Sequence, residues 1–385
     1  ETDVLDAEIY QKLIEAKVIV DNKYDNNCIL DQKLIKYSAA FSTELLQLVV
    51  APTLNCNFSC LYCYEKGLKN NKMSSQTENN LINFIKSYNK DTILDLTWYG
   101  GEPLLAFNTI KNILAKLREN NIRLGSHALI TNGYLLTKEV SYFFKDYKLD
   151  NVQITIDGTK EKHDKLRKHK SGSSTFDTIL ENIDLFTDIV PQTSVTIRVN
   201  VSNENKDDFP EIYKYLNNRY KNKRCIVSPA LVKDHGNCEV HCIKNKDKIT
   251  FLKDLYFKYG IKEVEFFPKI LQSGVCTADK LHAFVVDPLG NLYKCWVDIG
   301  KKEKVVSQLE NTKITNFNLI SRYVINTDKF QDEKCLKCFL FPVCDGGCGL
   351  YRMNYQLNDT YYDVCPINRD EMDILLEAYY ELQHK

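Results

Sequence analysis

The eight residues Cys56-Asn57-Phe58-Ser59-Cys60-Leu61-Tyr62-Cys63 constrain this chain more than any other stretch. The spacing C-x3-C-x2-C brings three thiols onto one face of a tight loop. Three thiolates can hold three irons of a four-iron, four-sulfur (4Fe-4S) cluster, leaving the fourth iron without a protein ligand. Structural metal sites are normally closed, so an open iron points to a cluster that binds something else. A zinc loop or three structural thiols is the alternative reading of the spacing alone. The context weighs against it. Val49-Val50-Ala51-Pro52-Thr53 reads as the end of a strand just before the loop, and an aromatic, Tyr62, precedes the third cysteine.

The 385 residues make one large domain or two ordinary ones. Fifty-one Lys and Arg balance 51 Asp and Glu, so the basic excess that marks a nucleic-acid partner is missing. Fourteen cysteines would suit a disulfide framework in a secreted chain. No signal peptide, membrane span or lipidation motif is recognisable, and the short cysteine spacings point to metal-sulfur chemistry in a reducing cytoplasm.

From Leu45 onward strand and helix patterns alternate. Strands are expected at 46–50, 93–99, 128–131, 152–156, 194–201 and 225–228, with helices at 75–88, 108–118, 138–147, 176–187 and 208–216 between them. Ser75 with Glu78 has the form of a capping box for the first of these helices. Six strand-helix units predict an α/β fold, a parallel sheet curled into a partial (β/α)6 TIM-like barrel. Ligands then belong at the carboxyl ends of the strands. The expected division is a leader at 1–44, a barrel at 45–232, a helical bridge at 233–270 and a cysteine-rich domain with a C-terminal helix at 271–385. In the leader a helix over 6–17 and a small strand at 18–21 precede a polar turn; it reads as a lid on the next domain or a peptide-recognition segment.

The strand ends carry the candidate polar groups. Tyr99-Gly100-Gly101-Glu102-Pro103 closes the second strand, Thr131-Asn132-Gly133 the third, and Thr155-Ile156-Asp157-Gly158 the fourth. Arg198 and Asn200 share one face of the fifth by the two-residue period. The basic run 160–170 reads as a solvated face, with Arg167 alone within reach of the site. Farther on stand Cys276, Gly290, Cys295, Cys335, Cys338, Cys344, Cys348 and Cys365, or C-x13-G-x4-C, a gap, C-x2-C-x5-C-x3-C, a gap, and C. Taken alone, its close pair is open to a zinc reading.

Taken together, the two cysteine sets resemble those of radical S-adenosylmethionine (SAM) enzymes with a SPASM extension, and the resemblance covers about residues 45–370. It implies that Cys56, Cys60 and Cys63 hold a cluster whose open iron binds the amino and carboxylate groups of SAM, with Tyr62 beside the adenine. Gly100, Gly101, Glu102 and Pro103 match the motif that receives the SAM amino group, and Asn132, Thr155, Asp157, Arg198 and Asn200 stand where polar groups hold ribose and carboxylate. Cys276, Cys295 and Cys348 match the ligands of a first auxiliary 4Fe-4S cluster, and Cys335, Cys338, Cys344 and Cys365 those of a second, three clusters in all. The implied chemistry is reductive cleavage of SAM to a 5′-deoxyadenosyl radical, fed by a flavodoxin- or ferredoxin-type reductant. The implied substrate is a ribosomally made precursor peptide, which would gain a thioether or carbon–carbon cross-link.

Two other readings stay open. Anaerobic sulfatase maturases make formylglycine with an Asp directly after the cysteine matching Cys295; here Trp296 stands there and Asp298 follows two residues on. A non-enzymatic iron-sulfur electron carrier would not need an open iron. The first auxiliary set is also one thiol short, since residues 264–275 contain no cysteine; Cys238 and Cys242 are either distant candidates or plain thiols.

Overall fold

The computed structural model describes residues 22–235, 238–261, 276–311, 313–338, 340–342 and 344–358, with isolated positions at 11, 14, 15, 364, 365, 373, 374, 376, 377, 380 and 381. The expected helix at 6–17 lies almost wholly outside these residues, and the strand at 18–21 entirely so. Helix α1 (Asn22–Phe41) stands where the sequence suggested a polar turn. Strands β1 (Leu45–Val50), β3 (Ile93–Trp98), β4 (Leu124–Thr131), β5 (Asn151–Thr155), β7 (Ser194–Val201) and β8 (Cys225–Leu231) are the six expected ones, with β4 and β8 longer than foreseen. They are parallel neighbours in chain order. Successive right-handed crossovers in one direction curl a sheet, and the result is the partial barrel.

The intervening helices are α2 (Ser75–Lys86), α3 (Phe107–Glu119), α4 (Lys138–Asp146), α5 (Lys160–Leu166), α6 (Phe176–Ile189) and α7 (Phe209–Tyr220); α8 (Asn245–Phe257) follows β8. The cap of α2 sits one residue earlier than the capping box implied: Ser74 Oγ accepts from Thr77 N at 3.1 Å, and Glu78 pairs with Lys116 at 2.9 Å instead. β7 shows how the barrel is built. Val195, Ile197, Val199 and Val201 are fully buried, while Thr196, Arg198 and Asn200 alternate onto the other face. Each buried aliphatic side chain contributes roughly 1.5–3 kcal/mol, so the apolar face fixes register and the polar face is left for the site.

Two additions to the sheet were not foreseen. The short β2 (Phe58–Cys60) pairs antiparallel with β6 (Arg167–His169), so the basic run is no solvated face at its centre: His163, Leu166 and Arg167 are buried. The hairpin β9 (Ala283–Val286) and β10 (Asn291–Tyr293), with β11 (Ser307–Gln308), extends the barrel sheet past β1. Gly290, at φ +85°, makes the hairpin turn. The boundary expected near 271 therefore cuts through a continuous sheet. Three further helices, α9 (Phe317–Ser321), α10 (Glu333–Leu336) and α11 (Gly349–Asn358), carry the remaining cysteine-rich region.

α1 packs on that region. Tyr37 Oη donates to Asp328 Oδ2 at 2.7 Å, and Lys329 Nζ donates to Gln32 Oε1 at 2.6 Å. Among the described residues, no helix is long and apolar enough to cross a membrane.

Candidate functional site

β1 ends in the cysteine loop, and the end of β3 locks that loop in place. Gly101 N donates to Thr53 O and Glu102 N to Asn55 O at 2.8 Å. A Cβ on Gly101 would stand 2.4 Å from Asn55 O, and one on Gly100 2.5 Å from Thr53 O. The close approach expected of a ligand is thus taken up by the protein's own loop. Glu102 is fully buried and accepts from Leu104 N at 3.0 Å, Thr131 Oγ1 at 2.8 Å and Asn132 N at 2.7 Å. Pro103 is buried in the short turn that follows. Asn132 Nδ2 in turn donates to Asn57 Oδ1 at 2.7 Å. The ends of β3 and β4 therefore clamp the cysteine loop.

A second network holds the loop from the ends of β5 and β7. Tyr62 Oη donates to Asp157 Oδ2 and accepts from Arg167 Nη1 at 2.7 Å and Asn200 Nδ2 at 3.0 Å. Asp157 Oδ1 accepts from Asn200 N at 3.0 Å, and Arg198 Nε donates to Asn200 Oδ1 at 2.8 Å. Thr155 is buried on β5, in register with Arg198. Tyr62, Asp157, Arg198 and Asn200 thus converge in one hydrogen-bonded network, joined by Arg167. Burial pushes the Asp157 carboxyl up, opposed by Arg167 and by the Tyr62 hydroxyl. Arg167 Nε is buried without a partner, a donor still waiting for an acceptor. The pairing of β6 with the cysteine loop brings Arg167 there, and that long-range contact has no local sequence signal.

All fourteen cysteines are free of disulfides. Burial pushes the Cys56 thiol up to about 12 and those of Cys60 and Cys63 up to about 11. A metal bound by these thiols would have to drive their deprotonation, since ligation releases thiol protons. Among the described residues, no three Cys, His, Asp or Glu side chains form a single-ion site. Cubane ligands bind separate irons, so their sulfurs need not converge on one point. Arg167 draws the Cys60 thiol down against burial, which suits a thiolate there. The donor set and the orphaned Arg167 N–H fit a cluster with an anionic ligand beside it.

The second cysteine set comes near the first loop at Tyr64, which lies close to both Cys63 and Cys295. Thiolate charge at Cys276 and at Cys348 is felt at Cys295, whose own thiol burial pushes up strongly, so these three are gathered. Cys344 feels Cys365 in the same way, and Arg352 Nη2 donates to Cys335 Sγ at 3.4 Å. Cys338 N donates to Cys335 O at 2.9 Å, placing Cys338 on the same turn. Lys294, fully buried beside Cys295, donates to Ala283 O at 2.6 Å. The Cys238 and Cys242 sulfurs are 3.8 Å apart, and both residues, like Leu61 and Tyr62 of the first loop, pack against Leu166, Val232 and Val240.

Between the two sets lie groups that sequence reading missed. The Tyr99 ring meets Trp296 at 4.7 Å, and the Tyr99 and Tyr64 hydroxyls are hydrogen-bonded. Glu65 faces Tyr99; burial pushes its carboxyl up to about 7, opposed by that hydroxyl, and Oε1 is buried without a partner. Asp298 is fully buried near Cys295, whose thiol its charge raises; Oδ2 accepts from Tyr323 Oη at 2.6 Å, and Oδ1 is buried without a partner.

The Radical SAM superfamily profile matches residues 50–216, which span β3 to β7 and the cysteine loop. Residues 50–216 form a radical SAM domain. Similarity to known proteins extends over more of the chain than this domain. The chain is 26% identical over 343 residues to a cysteine-type anaerobic sulfatase-maturating enzyme of Clostridium novyi, covering 79% of this chain and 88% of that one. A serine-type counterpart from Bacteroides thetaiotaomicron is 26% identical over 347 residues, 80% of this chain and 84% of that one. Among solved structures, anSMEcpe with bound AdoMet and a Kp18Cys peptide aligns with TM-score 0.70 at 21% identity, over 88% of this chain and 98% of that one. SuiB of Streptococcus suis bound to S-adenosylmethionine aligns with TM-score 0.58 at 16% identity, over 91% and 84%.

Proposed function

We propose that this enzyme matures a ribosomally made peptide by radical chemistry started at the barrel mouth, and that Cys56, Cys60 and Cys63 ligate its SAM-binding cluster. The observation that carries the reading is the clamped cysteine loop, with Tyr99 of the clamp packed on Trp296 beside Cys295 of the second set. Bound SAM and a reduced 4Fe-4S cluster supply a 5′-deoxyadenosyl radical able to take hydrogen from an unactivated carbon. The protein's own part is positioning. Arg167 offers its orphaned N–H to the SAM carboxylate, and Tyr62 is held rigid by Asp157 and Asn200 to flank the adenine. Arg198 and Asn200 present polar groups to the ribose. Tyr99, Trp296 and Tyr64 form an aromatic wall against which a peptide side chain packs away from water. Cys276, Cys295 and Cys348, and Cys335, Cys338, Cys344 and Cys365, are the ligand sets for two auxiliary clusters. They give the electron lost by the substrate a way out, and a flavodoxin- or ferredoxin-type protein of the cytoplasm supplies the first electron.

The product we favour is a thioether or carbon–carbon cross-link. Trp296 replaces the carboxylate that formylglycine formation uses at that place, and Asp298 is tied to Tyr323. The second reading, oxidation of Cys or Ser to formylglycine, draws on the similarity to sulfatase-maturating enzymes and on Glu65, whose unpartnered oxygen puts a carboxylate at the mouth. The test is co-expression with a candidate precursor followed by mass spectrometry. An internal cross-link with loss of two hydrogens supports the first reading, and a hydrazide-reactive aldehyde the second. The Cys56→Ala, Cys60→Ala, Cys63→Ala variant should lose about four irons and all 5′-deoxyadenosine formation. Retained cleavage in that variant would refute the cluster assignment.

A further inference from the structure

Arg352, on the second turn of α11, has its guanidinium buried among the last cysteines. Nη1 donates to Asp332 Oδ2 at 2.6 Å, and Nη2 donates to Gly346 O at 2.6 Å and to Cys335 Sγ at 3.4 Å. Gly346 can bring its carbonyl there because it takes φ +90° and lies against Lys329, where a Cβ would come within 2.8 Å of that side chain. Asp332 is itself fixed at the start of α10, its carboxylate accepting from Lys334 N at 2.9 Å. The fork is therefore held from two sides with its geometry set. One donor is left over: Nε is buried and has no partner. An unmet buried N–H on a cation is costly, so the site calls for an acceptor that the polypeptide does not provide. An iron-sulfur cluster carries acceptors of that kind, since both its thiolate sulfurs and its inorganic sulfides accept hydrogen bonds.

We infer that Arg352 is a positioning residue for the second auxiliary cluster, donating to the Cys335 thiolate and, through Nε, to a cluster sulfide, and that it thereby raises the reduction potential of that cluster. Reduction adds negative charge, and a buried cation with directed N–H groups stabilises the reduced state more than the oxidised one. The substrate's electron would then leave toward this end of the molecule. Lysine cannot replace this fork fully, because a point charge lacks the planar pair of donors. The inference rests on reading Cys335, Cys338, Cys344 and Cys365 as cluster ligands.

The experiment uses the full chain, reconstituted anaerobically with iron and sulfide, as wild type, Arg352→Gln and Arg352→Lys. Iron per chain, the thermal midpoint and the EPR-monitored potential of each cluster are measured. Wild type tests the underlying reading by itself: about four irons instead of about twelve removes the auxiliary clusters, and the inference with them. With twelve present, Arg352→Gln is expected to keep its iron and thermal midpoint while one potential moves lower and the other two stay. Arg352→Lys should move that potential less. Loss of about four irons in the Gln variant alone, with the Lys variant retaining them, also supports the assignment. Unchanged potentials in both variants overturn it. So does equal loss of iron and of thermal midpoint in both, which marks a purely structural arginine.

Discussion

Tyr62 gathers three partners on one phenol oxygen: Asp157, Arg167 and Asn200. Replacing it by Phe keeps the ring but leaves a buried carboxylate and a buried guanidinium each short of a partner, at a cost of about 1–3 kcal/mol. The expected outcome for Tyr62→Phe is a lower thermal midpoint and a higher KM for SAM, read from 5′-deoxyadenosine formation against SAM concentration. An unchanged KM would confine Tyr62 to the fold. His163 governs a different response. It is fully buried, its Nδ1 accepts from Asp157 N at 3.1 Å, and burial, then the charge of Arg167, pushes it down to about 3. The unfolded chain, with an ordinary His value near 6.5, takes up the proton first as pH falls. Stability is therefore complete above about pH 6.5 and drains away toward pH 3, by about 1.4 kcal/mol at pH 5.5 from this one group. In His163→Gln the difference in unfolding free energy between pH 7.5 and 5.5 should shrink by about that amount. A difference equal to that of wild type would show that His163 does not titrate on unfolding.

At the level of elements, legibility followed the local pattern. The six barrel strands announced themselves because apolar β-branched runs such as Val195 to Val201 alternate strictly. α1 did not, because it is inside out. Its packed face carries Gln32, Lys36 and Tyr37, while Leu30, Leu34 and Ile35 are exposed. No hydrophobic period marks such a helix; its partners, Asp328, Lys329 and the Pro342 carbonyl, are about 300 residues away. Nor could the pairing of β6 with β2 be read, since three polar residues, Arg167 to His169, give no strand signal. The polar face of α1 predicts where it matters. Tyr37→Phe removes the donor to the buried Asp328 and should cost about 1–3 kcal/mol. The expected loss is in the cysteine-rich region, so iron bound there should fall while SAM-cluster iron and uncoupled SAM cleavage persist. Equal loss of both iron pools would instead show that α1 supports the barrel.

For the whole molecule, both cysteine sets were legible, but not the way β9 joins them. β9 lies along β1, with Gln47 to Val50 in register with Ala283 to Val286, so the strand that leads into the first loop also anchors the hairpin ending at Cys295. That architecture decides the fate of the missing thiol. The segment carrying Cys238 and Cys242 is tied to the first loop: Glu239 N donates to Leu61 O at 2.9 Å, and the two thiols share the Leu166, Val232 and Val240 cluster with Leu61 and Tyr62. Cys276, Cys295 and Cys348 lie near one another. If these three hold a cluster, one iron stays open to the mouth, where a substrate cysteine can bind, lose its proton and be held for attack by a carbon radical. The Cys238→Ala, Cys242→Ala variant should then keep its full iron content. Adding a Cys-containing precursor peptide to the Cys56→Ala, Cys60→Ala, Cys63→Ala variant, which retains only the auxiliary sites, should change the EPR signal of one auxiliary cluster, and a Ser-substituted peptide should leave it unchanged. Loss of about four irons in the Cys238→Ala, Cys242→Ala variant, or an unmoved signal with the Cys peptide, would close the open site and return the cross-link to carbon–carbon chemistry.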